Sequence, residues 1–178
     1  MGIGVDRWSP ILVEEAVRLF MDAPFRWWIG GGHALELHVR DQWRTHEDFD
    51  VGICHYQASQ AYTWLKDWEM HIAAARRLSR WDGGPLRADR HENNVWVRRS
   101  SDSPWAFDLT VGEGNEGEWI YRRDASVNRP WETAVFRTRS GVPYLAPELQ
   151  LLSKSKDLRP KDHADVGGCA TDGDLRGA

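Results

Sequence analysis

Two short stretches carry residue types that could do chemistry together. In Arg44-Thr45-His46-Glu47-Asp48-Phe49-Asp50, two carboxylates stand two residues apart. On a strand, such residues point the same way, so Asp48 and Asp50 share a face. Like charges that close repel unless a cation holds them. Hard oxygen ligands suit Mg²⁺, which usually takes one or two carboxylates together with substrate phosphates. Gly30-Gly31-Gly32 supplies the complementary half. Glycines let backbone N–H groups and a helix N-terminus approach an anion such as a triphosphate. Alone, a glycine pair is often a turn, and Asp-x-Asp is often a solvated strand face. Their order on consecutive elements is what joins them into one signal.

The surrounding pattern supplies those elements. Ser9-Pro10 followed by Ile11, Leu12, Ala16, Val17, Leu19 and Phe20 predicts a helix with Ser9 as N-cap and Pro10 in its first turn, ended by Pro24. Phe25–Ile29 predicts a buried strand, the glycines a turn, and His33 to about Val39 a helix. Asp48–Ile53 alternates as a half-buried strand, and Gln57–Trp68 reads as a helix. From there to about Arg139 the pattern is mostly β, with strands at 94–98, 106–111, 118–122 and 134–138. Pro147–Lys156 predicts a further helix. The expected fold is α/β (α+β), a mixed sheet flanked by helices.

Composition bounds the function. The 178 residues carry 23 Lys plus Arg against 27 Asp plus Glu, a net charge of −4. That argues against a protein built to coat nucleic acid, though not against a nucleotide ligand. No stretch approaches the ~18–20 apolar residues of a membrane span, and the N-terminus lacks a signal-peptide pattern. Cys54 and Cys169 form neither a disulfide framework nor a zinc site. A cytoplasmic protein with no membrane partner is expected. The 11 tryptophans read either as packing or as stacking platforms for a ring-bearing ligand.

The run Trp28-Ile29-Gly30-Gly31-Gly32 … Arg44-x-His46-x-Asp48-x-Asp50 resembles the small nucleotidyltransferases of the aminoglycoside and lincosamide adenylyltransferase type, within the polymerase-beta-like superfamily. Two later blocks are similar to that branch: Trp119-x-Tyr121-Arg122-Arg123-Asp124, and Pro143–Glu148 with Leu151-Leu152-x-Lys154-x-Lys156 and Arg159-x-Lys161-Asp162-x-x-Asp165. The resemblance spans roughly residues 8 to 166 and implies a nucleotidyltransferase domain over 1–166, with 167–178 as a tail.

By that resemblance, Gly31 and Gly32 hold phosphates, and Asp48 and Asp50 ligate Mg²⁺. Asp108, in Phe107-Asp108-Leu109, is the third carboxylate and serves as metal ligand, as base for the attacking hydroxyl, or as both. Arg44 reads as a pyrophosphate clamp or as a salt-bridge partner of Glu47 or Asp41. His46 reads as orienting its loop. Lys154 reads as a phosphate contact or a solvated lysine, and Lys161 and Asp162 as structural. Trp43 and Trp119 flank these elements and read as pocket walls or packing. The chain departs from the pattern at Gly30, where an acidic residue is common, at Glu36, where aspartate is frequent, and after Asp165, where relatives continue into another apolar helix.

The implied reaction is Mg²⁺-dependent transfer of a nucleotidyl group, AMP from ATP or the equivalent from another NTP, to a hydroxyl of an antibiotic-like small molecule, with release of pyrophosphate. Relatives of this branch pair, so a homodimer is a further expectation. The alternatives are a toxin–antitoxin-type nucleotidyltransferase acting on protein or tRNA, and a non-catalytic nucleotide-binding module. A histidine-based metallohydrolase is disfavoured, since no HExxH pattern is present.

Overall fold

A computed structural model describes residues 7–87 and 90–155, together with His163 and Gly167. Lys161, Asp162 and the expected tail, apart from Gly167, lie outside the described residues.

The elements are, in chain order, α1 (Val13–Phe20), β1 (Trp27–Ile29), α2 (Gly31–Val39), β2 (Asp50–Cys54), α3 (Ala58–Trp64), β3 (Glu69–Ala74), β4 (Arg77–Arg80), β5 (Asn94–Arg98), β6 (Trp105–Gly114), β7 (Glu118–Ile120), β8 (Asn128–Pro130), α4 (Trp131–Ala134), β9 (Val135–Arg137), β10 (Pro143–Leu145) and α5 (Pro147–Lys154). Among the described residues they form a mixed sheet in the order β4-β3-β5-β6-β2-β1-β10-β9, with β7 and β8 added along the end of β6. The central pairs β2–β6 and β1–β10 are parallel, and β1–β2 is antiparallel. The mixed sheet with flanking helices is the architecture expected.

Alternation sorts each central strand into two faces. Val51, Ile53, Val95, Val97, Phe107 and Leu109 are fully buried and share one core with Ala16 and Phe20 of α1 and with Ala61 and Leu65. A second cluster gathers Trp28, Trp119, Trp131, Leu145 and Leu149. No described helix is long and apolar enough to cross a membrane.

Several boundaries differ from the expected ones. The first helix begins at Val13, not behind Ser9 and Pro10. The Ser9 and Ile11 N–H groups instead donate to Trp105 O (2.9 Å) and Ala106 O (3.0 Å), and Trp105 N–H returns a bond to Arg7 O (2.9 Å). Residues 7–11 are therefore a strap alongside β6, and tertiary pairing overrides the local capping signal. Leu12 becomes the N-cap, its N–H held by Glu15 Oε2 at 2.8 Å. The strand expected at Asp48 begins at Asp50, and the helix expected through Trp68 ends at Trp64. Trp64 is 38 % exposed; its indole donates to Leu19 O at 2.9 Å and so anchors α1 from outside the core.

Candidate active site

Asp50 opens β2, and Asp108 sits opposite it in the parallel ladder with β6. Their neighbours Phe49, Val51, Phe107 and Leu109 are fully buried, so both carboxylates emerge on the other face of the sheet. Asp108 is 8 % exposed. Asn94 Nδ2, on β5, donates to its Oδ2 at 2.7 Å, whereas Oδ1 is buried with no hydrogen-bond partner. Burial, and then the charge of Asp50, raise the Asp108 pKa from 3.8 to about 8. Asp48 adds in the same sense, and hydrogen bonds from Asn94 and from the Val95 backbone N–H oppose.

The glycine turn meets Asp50 from the other side. Gly30 N–H donates to Asp50 O at 3.0 Å. Gly31, the first residue of α2, has φ +64°, and a Cβ there would fall on Asp50 Oδ2. Both facts require glycine. Gly31 N–H is held by Gln150 Oε1 of α5 at 3.0 Å.

Two cavities share Asn94 in their walls. The first, about 460 Å³, is lined by Gly30, Gly31, Asp50, Trp28 and Trp119 together with Arg122, Arg123 and Lys154. The second, about 390 Å³, is lined by Glu47, Asp48, Asp108, Trp8 and Trp96. Asp48 and Asp50 thus line different cavities instead of sharing one, because Asp48 lies before β2 begins.

The remaining expected residues gather on the flank of α2. A Cβ on Gly32 would collide with Arg44 Nη2 and the His46 ring, so Gly32 admits the 41–49 loop against the helix and does not line the first cavity. Arg44, His46 and Trp43 line neither cavity. His46 Nε2 lies 2.8 Å from Glu36 Oε2, and its ring packs on His33 with centroids 3.9 Å apart. Backbone N–H groups of Arg44 and Trp43 also serve the Glu36 carboxylate. Burial outweighs these bonds and raises the Glu36 pKa, while burial and then His46 lower that of His33 to about 4.

Sequence reasoning missed Asn94, Gln150, Trp8 and Trp96 and gave Arg122 and Arg123 no role. Gln150 stands four residues before Lys154, the spacing of one helix face, which was a usable signal. Trp96 is the register partner of Asp108 across β5–β6, which only strand pairing reveals.

The geometry fits a divalent cation. Buried Asp108 Oδ1 lacks a partner, and Asp50 crowds it with like charge, the situation a cation relieves. Among the described residues, no group of three or more His, Cys, Asp or Glu is arranged to hold a metal alone. Oxygens from a bound phosphate would complete the shell, as is usual for Mg²⁺.

Comparison with known proteins bears on the fold and the family. By sequence, no curated protein matches. The fold is similar to that of the lincosamide antibiotic adenylyltransferase LnuA in its lincomycin-bound crystal structure, at TM-score 0.61 and 15 % identity, covering 93 % of this chain and 98 % of that one. It is also similar to ANT(2")-Ia in complex with adenylyl-2"-tobramycin, at TM-score 0.52 and 11 % identity, covering 90 % and 86 %. The profile of the aminoglycoside-2''-adenylyltransferase family matches residues 12–167. The chain therefore belongs to the aminoglycoside-2''-adenylyltransferase family and is a nucleotidyltransferase enzyme.

Proposed function

We propose that this enzyme transfers AMP from ATP to a hydroxyl of a small amine-bearing antibiotic in a Mg²⁺-dependent reaction that releases pyrophosphate. The observation that carries the reading is the pairing of Asp50 with Asp108 across β2 and β6, each lining one of two cavities that share Asn94. The first cavity joins a glycine turn to Arg122, Arg123 and Lys154, a set suited to a triphosphate. The second is acidic and aromatic, a set suited to a cationic acceptor with rings.

In the proposed reaction the acceptor oxygen bonds to the α-phosphorus as the bond to the bridging oxygen toward the β-phosphate breaks, and pyrophosphate leaves. Lys154, Arg122 and Arg123 hold the departing phosphates. Gln150 fixes Gly31, and Gly31 leaves room for Asp50 beside the first turn of α2. Asp108, which lines the second cavity, serves as metal ligand or as acceptor of the hydroxyl proton, and both uses need the ionised carboxylate. Asp50 and Asp108, completed by phosphate oxygens and with Asp48 adding negative charge beside them, would hold Mg²⁺, which would supply charge neutralisation along the in-line path. The protein contributes mainly position and charge. A cytoplasmic setting belongs to the same reading.

The test is incubation with α-labelled ATP, Mg²⁺ and a panel of aminoglycosides, lincosamides, tRNA and protein. Label transfer to an antibiotic, lost in Asp50→Ala and Asp108→Ala, is expected. Transfer to tRNA or protein instead would replace this reading with the toxin-type one. ATP binding unchanged in both variants would remove these carboxylates from the site.

A further inference from the structure

Trp8 and Trp96 stand 88 residues apart in sequence, yet their rings meet edge to face at 5.1 Å in the wall of the second cavity. Neither position is arbitrary. Trp96 lies on β5 in register with Asp108, on the same sheet face as that carboxylate. Trp8 is brought there by the 7–11 strap, through its bridge to Trp105 and the three backbone bonds to β6. Had residues 9–12 been helical, as their local pattern suggests, those bonds would be lost. Both rings line the second cavity with Glu47, Asp48, Asn94 and Asp108, and among the described residues no lysine or arginine lines it. The buried, unpartnered Oδ1 belongs to Asp108, one of the residues lining this cavity, an independent sign that a ligand or its cation belongs there.

We infer that Trp8 and Trp96 form the aromatic wall of the acceptor subsite and set its specificity, taking a ring-bearing acceptor whose ammonium group lies near Glu47. The chemistry favours that ligand class: indole faces attract cations and the C–H faces of rings, and the carboxylates repel a second polyphosphate. This assignment rests on the transfer reaction proposed above. It adds that the N-terminal strap is part of the substrate site, beyond its packing role along β6.

The experiment compares Trp8→Ala, Trp8→Phe and Trp96→Ala with the parent enzyme in steady-state transfer from ATP to the panel antibiotic that accepts label. Acceptor KM should rise about tenfold in each alanine variant, the loss of one ring contact. ATP KM should stay within about twofold, and Trp8→Phe should restore most of the acceptor affinity. Indole N–H resonances of Trp8 and Trp96, assigned by substitution, should shift on adding the same antibiotic without nucleotide. Thermal melting of each variant, together with its ATP KM, separates local loss from misfolding. If label is transferred but acceptor KM is unchanged and neither resonance moves, the subsite is wrong while the reaction stands. If an alanine variant misfolds, the indole shifts of the parent protein decide. If no antibiotic accepts label and no indole shifts, the reaction itself fails and the subsite with it.

Discussion

Replacing Asp108 by Asn should change how the stability of the metal-free protein depends on pH. In the folded chain Asp108 titrates near 8, against 3.8 for an ordinary aspartate, because burial and Asp50 disfavour its charge. The folded state therefore binds a proton that the unfolded state has released, and stability falls by about 1.4 kcal/mol per pH unit between those values. His33 acts in the opposite direction. Its pKa is lowered from 6.5 to about 4, so between those values the unfolded chain binds the extra proton and stability rises with pH. The two slopes oppose each other up to about pH 6.5, the raised pKa of Glu36 adding to the fall above its ordinary value, and above 6.5 His33 no longer opposes Asp108. With rounding at both ends, the loss between pH 6.5 and 8 is about 1–2 kcal/mol, or about 3–5 °C in Tm for a chain of this size. The assay is thermal or urea unfolding in EDTA at pH 5, 6.5 and 8. The parent should change less from pH 5 to 6.5 than from pH 6.5 to 8, over which it weakens. Asp108→Asn, which keeps an oxygen for Asn94 to bond, should fall less than the parent from pH 6.5 to 8. Mg²⁺ added at pH 8 should stabilise the parent more than the variant. A parent whose stability does not fall above pH 6.5, or a variant that falls with it, would refute the claim that burial keeps this carboxyl protonated.

Three other perturbations follow from the same geometry. Gly31→Ala meets both a left-handed backbone, costing about 1–2 kcal/mol, and the Asp50 carboxylate. Its melting temperature should fall and transfer should drop at least about 100-fold; near-normal activity would show that the turn is not pressed against Asp50. Lys154→Ala and Arg122→Ala should each raise ATP KM by about tenfold and leave acceptor KM unchanged, since both line only the cation-bearing cavity; the reverse pattern in initial-rate kinetics would exchange the two cavities. Glu36→Gln replaces one of the two acceptor oxygens that serve His46 and the backbone N–H groups of Trp43 and Arg44 with an NH₂ donor, leaving a buried donor unpaired. It should cost about 1–2 kcal/mol in urea unfolding and lower kcat more than ATP KM by loosening the loop that carries Asp48, so a variant with parental kcat would show that loop to be independent of Glu36.

Much was legible because the relevant signals are local. Glycines before a helix, an Asp-x-Asp entering a strand and an aspartate between Phe107 and Leu109 each state their environment within a few residues, and period-two alternation assigns them to one side of the sheet. The sequence by itself therefore determined the fold class and the glycine turn, and it singled out three carboxylates as candidates. It could not determine which cavity each group faces. Asp48 parts from Asp50 because β2 starts where β6 begins to pair with it. Gly32, Arg44 and His46 lie away from the first cavity because Glu36 collects the 41–49 loop on the flank of α2. The tryptophans show the limit most clearly. Trp43 and Trp119 stand next to site motifs in sequence, yet Trp43 lines neither cavity, whereas Trp8 and Trp96 reach the second cavity through strand pairing alone. Periodicity reports which face of its own element a residue occupies. Which elements become neighbours is decided by long-range backbone pairing and shared burial, and only the tertiary structure contains those.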